Sequence, residues 1–227
     1  MGRDNQPKHR QSARVLMRRA AVRAPYERIL IVCEGEKTEP NYFNDIRREC
    51  RLSTANVQVL QCVTGTQPLQ VVEYAEQLFR FGDLAKDVPA KAFDRVFAVF
   101  DRDDHDTYHN ALAKADVLDN RIKNDLNSAI PFRAIASVPC FELWLLLHFE
   151  DVTAPIHRND VYRRLKTHIP DYTKGERGHW EITRGYLDAA IARAQARIRM
   201  TTAYDGTEPY TAVHELVSLL THLKDVR

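Results

Sequence analysis

The sequence predicts an α/β fold: a mainly parallel, four-stranded sheet flanked by helices, with helical additions after it. Three observations predict it. Four short apolar runs, at residues 29–32, 57–63, 95–100 and 132–136, read as strands buried on both faces rather than as half-exposed ones. Segments with apolar residues at helical spacing separate these runs. Past Ser137 the strand signals cease and helical patterns follow one another to the end. Four alternations of strand and helix imply right-handed crossovers and a sheet covered on both faces.

The first run, Ile29 to Val32, breaks at Glu34-Gly35, and helical spacing resumes with Tyr42, Phe43 and Ile46. Thr38 suits the N-cap there, with Glu39 and Pro40 at the first helical positions. The second strand, 57–63, leads through a Gly65 and Pro68 turn into a helix carrying Leu69, Val72, Ala75, Leu78 and Phe79. The third strand, Arg95 to Phe100, ends at an acidic loop. Asp106-Thr107 then caps a helix predicted to run to about Leu126. The fourth strand is Phe132 to Ala136. Beyond it come an apolar helix over residues 139–148, a basic helix from Asp160 to His168, and a loop bearing Lys174. Two last helices are predicted, from about Trp180 to Met200 and from Pro209 to Leu223.

These elements divide the chain into a basic N-terminal arm, 1–25, and one domain, 26–227, with an α/β core over 26–137 and helical additions over 138–227. A chain of 227 residues with 44% hydrophobic content can bury a sizeable core. No apolar run approaches the roughly 20 residues a membrane span needs. The four cysteines, Cys33, Cys50, Cys62 and Cys140, lack C-x-x-C spacing, which points to buried thiols in a reduced, cytoplasmic setting. The net charge of +2 hides an asymmetry: the arm holds seven Lys or Arg against Asp4. Removing these from 33 basic and 31 acidic residues leaves 26 and 30, a charge of −4. The arm reads either as a solvated tail or as a strand laid on nucleic-acid phosphates through Arg10, Arg14, Arg18 and Arg19. Its composition also suits a transit peptide.

Function is read from two acidic stretches. Glu34, Glu36 and Glu39 sit where a buried parallel strand hands over to a helix, the edge at which open α/β sheets bind ligands. An unpaired carboxylate there is costly and has no cheap structural purpose. Asp101 and Asp103, with Asp104 and Asp106 beyond, close the third strand. Short carboxylates at i and i+2 reach one point if the backbone curls, and oxygen ligands suit Mg²⁺ or Mn²⁺ acting on a phosphodiester. Glu142 and His148 lie on an apolar helix; His148 reads as a core histidine, and Glu142 is odd there because Glu is rarely buried unpaired. His105 and His109 read as a capping turn and a solvated helix face.

A strand ending in Glu-Gly paired with a later strand ending in Asp-x-Asp resembles the Toprim fold of topoisomerases, bacterial primases and OLD-family nucleases. More closely, Cys33-Glu-Gly-Glu-Lys-Thr-Glu-Pro-Asn-Tyr-Phe43, Phe100-Asp-Arg-Asp-Asp104, the Ser137 to Phe149 block and Pro209-Tyr-Thr-Ala-Val-His-Glu-Leu216 resemble the RloB family, over about residues 26–223. The resemblance implies a prokaryotic protein of restriction-linked or anti-phage defence, often beside an ATPase partner of AAA or ABC type. Glu34, Asp101 and Asp103 match the metal-binding acids, and Lys174 resembles a family lysine able to sit on a scissile phosphate. Glu142 and Asp104 would support the site. Glu34 and Glu39 stand one position further apart than in the OLD-type loop, which leaves Glu36 and Glu39 as rival further ligands. The expectation is a Mg²⁺-dependent nuclease acting on DNA or RNA, with no membrane association. The competing class is a metal- or nucleotide-binding regulatory subunit of a defence ATPase. No motif positions a Tyr as covalent nucleophile, which argues against topoisomerase chemistry.

Overall fold

A computed structural model describes residues 26–103, 105–205 and 209–225. The arm arginines Arg10, Arg14, Arg18 and Arg19, and Asp104, lie outside the described residues. A five-stranded sheet has the order β2-β1-β3-β4-β5. Its members are β1 (Ile29–Cys33), β2 (Val57–Gln61), β3 (Arg95–Asp101), β4 (Phe132–Val138) and β5 (Tyr210–Thr211). The first four are parallel, with Ile31 against Val59 on one side and Phe97 on the other.

The fifth strand corrects the expectation of four. Tyr210 and Thr211 pair antiparallel with Val138 and Ser137, and the Ser137 and Thr211 hydroxyls meet at 3.0 Å. A two-residue strand has no period to read, so its residues pass for the start of the last helix.

All five β1 side chains are fully buried. Burying each stabilises the fold by about 2 kcal/mol relative to exposure, so the end of this strand is a rigid platform. Helices α1 (Thr38–Glu49), α2 (Pro68–Phe81) and α3 (Tyr108–Leu118) connect the parallel strands. Pro68 opens α2 next to Gln67, which exchanges a capping box with Gln70. In α1 the N-cap is Lys37 rather than Thr38, and no side chain caps it.

Further departures have local causes. Helix α3 ends at Leu118, not near Leu126, because Asn120 adopts a left-handed φ of 55° and the chain turns back through a Lys123–Ala129 bridge. Ile122 is still buried, which is why it reads as part of a helix face. The apolar helix shortens to α4 (Glu142–Leu147), all six residues buried. The basic helix α5 (Arg158–His168) begins before Asp160, capped by the His157 side chain, which accepts from the Asn159 N–H. The helix expected over 180–200 is broken into α6 (His179–Thr183), a 3₁₀ turn at Arg184–Tyr186 containing Gly185, and α7 (Leu187–Ile198). The last helix, α8 (Val213–His222), follows β5. His148 is a core histidine as expected: buried, with Nδ1 2.9 Å from the Trp144 carbonyl and its pKa pushed down to about 4 by burial.

Candidate active site

Glu34 leaves the end of β1 still held to the sheet, its backbone N–H donating to the Val99 carbonyl at 2.9 Å. Its carboxylate turns toward β3, where Oε2 accepts from the Asp101 N–H at 2.9 Å. Asp101 is the last residue of β3 and is 6% exposed. Beyond it the Arg102 N–H donates to the Ser137 carbonyl, which curls the chain over the end of β4. That curl puts Asp103 at a left-handed φ of 38°, a strained conformation for a residue with a side chain.

Glu39, in the first turn of α1, is 4% exposed. It lies against Gly35 so closely that a Cβ on Gly35 would stand 2.0 Å from Glu39 Oε2. Glu36 is exposed to solvent, so Glu39 is the second glutamate of this loop that joins the cluster. Glu142 opens α4 with no exposed surface; its Oε1 accepts from the Tyr172 hydroxyl at 2.8 Å. One aromatic group fixes both of these acids. Tyr42, three residues past Glu39, packs edge-on to Phe141 at 5.5 Å and accepts from Trp144 Nε1 at 2.9 Å. Phe141 and Trp144 flank Glu142 in sequence, so α1 and α4 carry their carboxylates on one rigid aromatic joint.

Electrostatics record the crowding. Burial first, and then the charges of Glu39, Glu142, Glu34 and Asp103, push the Asp101 carboxyl well above the usual range. Glu34 is raised to about 7, by burial and by Glu39 and Asp103, against the Asp101 N–H and Lys174, which hold it down. Glu39 is also raised to about 7, by burial and by Glu142, with its own backbone N–H opposing. One oxygen each of Glu39 and Glu142 is buried with no hydrogen-bond partner.

The site carries its own cations. Arg158, the first residue of α5, places Nη1 2.8 Å from Asp103 Oδ1. That oxygen has no aligned hydrogen bond, so charge alone makes the contact. Lys174 donates to the Tyr162 hydroxyl at 3.2 Å and stands 4.0 Å from Glu142 Oε1. The loop that bears Lys174 is tied to α1: Asn41 Nδ2 donates to the Gly175 carbonyl at 3.0 Å, and the Gly178 N–H to Asp45 Oδ2 at 3.1 Å. His105 Nε2 lies 3.4 Å from Glu34 Oε1.

Of the expected site residues, the structure brings together Glu34, Glu39, Asp101, Asp103, Glu142 and Lys174, and leaves Glu36 outside. Sequence reasoning missed Arg158, Tyr162 and Tyr172, and gave His105 only a capping role. Arg158 carries no signal of its own, being one of several arginines near a basic helix.

Whether these residues suit a divalent cation is a question of donor chemistry and of placement. Hard cations take carboxylate oxygens, and the orphaned oxygens of Glu39 and Glu142 are donors still without a partner. As they stand, no three His, Cys, Asp or Glu side chains among the described residues enclose an ion. Arg158 stands against Asp103 and Lys174 against Glu142 instead. The donor set fits an oxygen-ligated ion, with those two counter-charges giving way.

Gly35 gives a local test. Alanine there drives a methyl into the Glu39 carboxylate, which must move, since Gly35 lies at the mouth of a rigid strand. The expected result for Gly35→Ala is about a tenfold loss of divalent-ion affinity. Calorimetric titration with Mn²⁺ checks this; an unchanged affinity would remove Glu39 from the site.

No helix is long and apolar enough to cross a membrane among the described residues. No curated protein and no solved structure matches the chain. A family model described as RloB-like protein does match, over residues 29–220, from the start of β1 into α8, and so takes in every acid of the cluster. The chain belongs to the RloB-like family.

Proposed function

We propose that the chain is a Mg²⁺-dependent nuclease, hydrolysing phosphodiester bonds in DNA or RNA within a prokaryotic defence system. The observation that carries this reading is the crowding of Glu34, Glu39, Asp101, Asp103 and Glu142 at the carboxyl ends of adjacent parallel strands, with cations only at the rim. A structural core has no use for five such groups. The likeness of the paired Glu-Gly and Asp-x-Asp motifs to the Toprim fold supports the same reaction.

Glu34, Asp101 and Asp103 would hold the ion, with Glu39 and Glu142 as further oxygen ligands. Bound there, Mg²⁺ supplies polarisation of the phosphate and a lowered pKa for an attacking water. The protein's own groups do the rest. Lys174 and Arg158 neutralise and orient the phosphate from the rim, Arg158 with a planar fork that matches two of its oxygens. His105 Nε2, 3.4 Å from Glu34 Oε1, helps to orient that carboxylate. Phe100 and Tyr108, packed edge-on behind Asp101, keep water from the back of the cluster.

Cleavage of labelled single-stranded and duplex DNA and of RNA, with Mg²⁺ or EDTA, tests the proposal. Activity should require the ion and fall at least ~10³-fold in Glu34→Gln, as for removal of a principal electrostatic group. The assays include an ATPase partner where one is encoded alongside. Wild-type rates in Glu34→Gln would overturn the assignment. So would absence of cleavage in the activated complex when Glu34→Gln still supports defence; that outcome favours the regulatory subunit.

A further inference from the structure

We propose that Arg158 and Lys174 form a counter-charge latch, holding Asp103 and Glu142 in the ion-free protein and passing to the substrate phosphate once a divalent cation neutralises those acids. This inference rests on the reading of the cluster as a cation site. It adds that ion binding and phosphate binding are coupled through two named side chains.

Both cations come from the stretch between the start of α5 and the loop before α6, and they share a support. Tyr162 lies one helical turn past Arg158, and its hydroxyl accepts from Lys174 at 3.2 Å. Tyr162 stacks on Tyr172 at 6.5 Å, and Tyr172 donates to Glu142. Arg158, Tyr162, Tyr172 and Lys174 thus form one polar wall along the mouth of the cluster.

The contacts have the character of holding positions. Arg158 approaches Asp103 at 2.8 Å without an aligned hydrogen bond, and Lys174 stops at 4.0 Å from Glu142. Their side chains stay 35% and 54% exposed, so each keeps access to solvent and to a ligand. A permanent structural pair of Arg and carboxylate would instead be expected to align two N–H···O bonds, as Arg28 does elsewhere in this molecule.

Charge counting gives the coupling its sign. Two cations face five acids, three short of neutrality when every acid is ionised. While the acids stand bare, the site as a whole repels a phosphodiester, and Arg158 and Lys174 are spent on their neighbours. A doubly charged ion brings this cluster from −3 to −1, so the acids hold the two side chains less tightly and phosphate oxygens become competing partners. By linkage, phosphate must then strengthen ion binding as much as the ion strengthens phosphate binding.

The test is calorimetric titration with Mn²⁺ of wild type, Arg158→Gln and Arg158→Lys, followed by titration with a non-cleavable phosphorothioate oligonucleotide. Circular dichroism and melting curves verify that each variant is folded. Arg158→Gln should bind Mn²⁺ about fivefold more tightly than wild type, because the ion no longer competes with a partly exposed ion pair. Mn²⁺ should strengthen oligonucleotide binding about tenfold in wild type and less than about twofold in Arg158→Gln. Arg158→Lys, which keeps the charge and loses the fork, should fall between them. Equal or weaker Mn²⁺ binding in folded Arg158→Gln would overturn the latch while leaving the cation site standing. Absence of Mn²⁺ binding in wild type and variant alike would overturn the reading of the cluster itself, and the latch with it.

Discussion

Asp101→Asn should yield a protein that is inactive and, without divalent ions, more stable than wild type. Asp101 is buried at the end of β3, and its carboxyl is pushed up by burial and by Glu39, Glu142 and Glu34. A carboxyl whose folded-state pKa lies above its unfolded value favours folding while protonated. That contribution is present below the unfolded pKa of about 3.9 and is lost as pH rises through the folded one. At pH 8 the folded wild type therefore holds Asp101 charged among like charges, or neutral at the cost of binding a proton. Asparagine keeps the shape and removes that cost. The expected gain is about 1–2 kcal/mol, a rise of roughly 5 °C in melting temperature in EDTA at pH 8, shrinking toward pH 5. Mg²⁺, which should stabilise wild type by binding only the folded state, should leave the variant unmoved. Melting curves of both proteins at the two pH values, with and without Mg²⁺, check all of this. A lower melting temperature for the variant at pH 8 would show that Asp101 is held by a favourable partner rather than by crowding.

The largest loss of stability is expected at the other end of the strands. Arg28, 8% exposed just before β1, donates Nε and Nη2 to Asp94 and both terminal nitrogens to Asp125, at 2.6 to 3.0 Å. Asn124 also donates to Asp94 at 2.9 Å. The guanidinium, its backbone N–H and Asn124 hold the Asp94 carboxyl below its usual range despite burial. Arg28→Ala leaves Asp94 half-buried and stripped of its main partner, at a cost of about 3 kcal/mol, or roughly 10 °C in melting temperature. Arg28→Lys should recover less than half of this, since an ammonium cannot serve two carboxylates with a fork. Ion affinity of the molecules that remain folded should not change, because the acids sit at the opposite ends of the strands. A melting temperature within about 2 °C of wild type would mean the network is solvated.

Much of this architecture was legible in advance because its signals are local. Ile29 to Cys33 and Arg95 to Phe100 are apolar runs too short for helices, and each ends in a carboxylate that a buried strand would not otherwise carry. Glu34, Asp101 and Asp103 therefore stood out as candidates before any fold was known. Glu142 stood out by burial among Leu and Trp, though nothing local said that it would face Glu39. Their meeting depends on Tyr42 packing against Phe141, a contact between residues far apart in sequence. Arg158, Tyr162 and Tyr172 were illegible for the same reason: the helix that carries the first two and the loop that carries Tyr172 are ordinary, and only their placement over the strand ends gives them a role. The turn at Asn120 and the two-residue β5 were missed because burial of Ile122 and the Pro209 start mimic helical patterns.

The central claim is that these acids hold a divalent cation, and a crystal structure of the protein grown with Mn²⁺ tests it most directly. The account predicts an anomalous peak roughly 2.2 Å from carboxylate oxygens of Glu34 and Asp101, as expected for an oxygen-ligated ion of this size. It also predicts Arg158 displaced from Asp103. A map at saturating Mn²⁺ with no peak at the ends of β1 and β3, and with Arg158 still seated on Asp103, would contradict it.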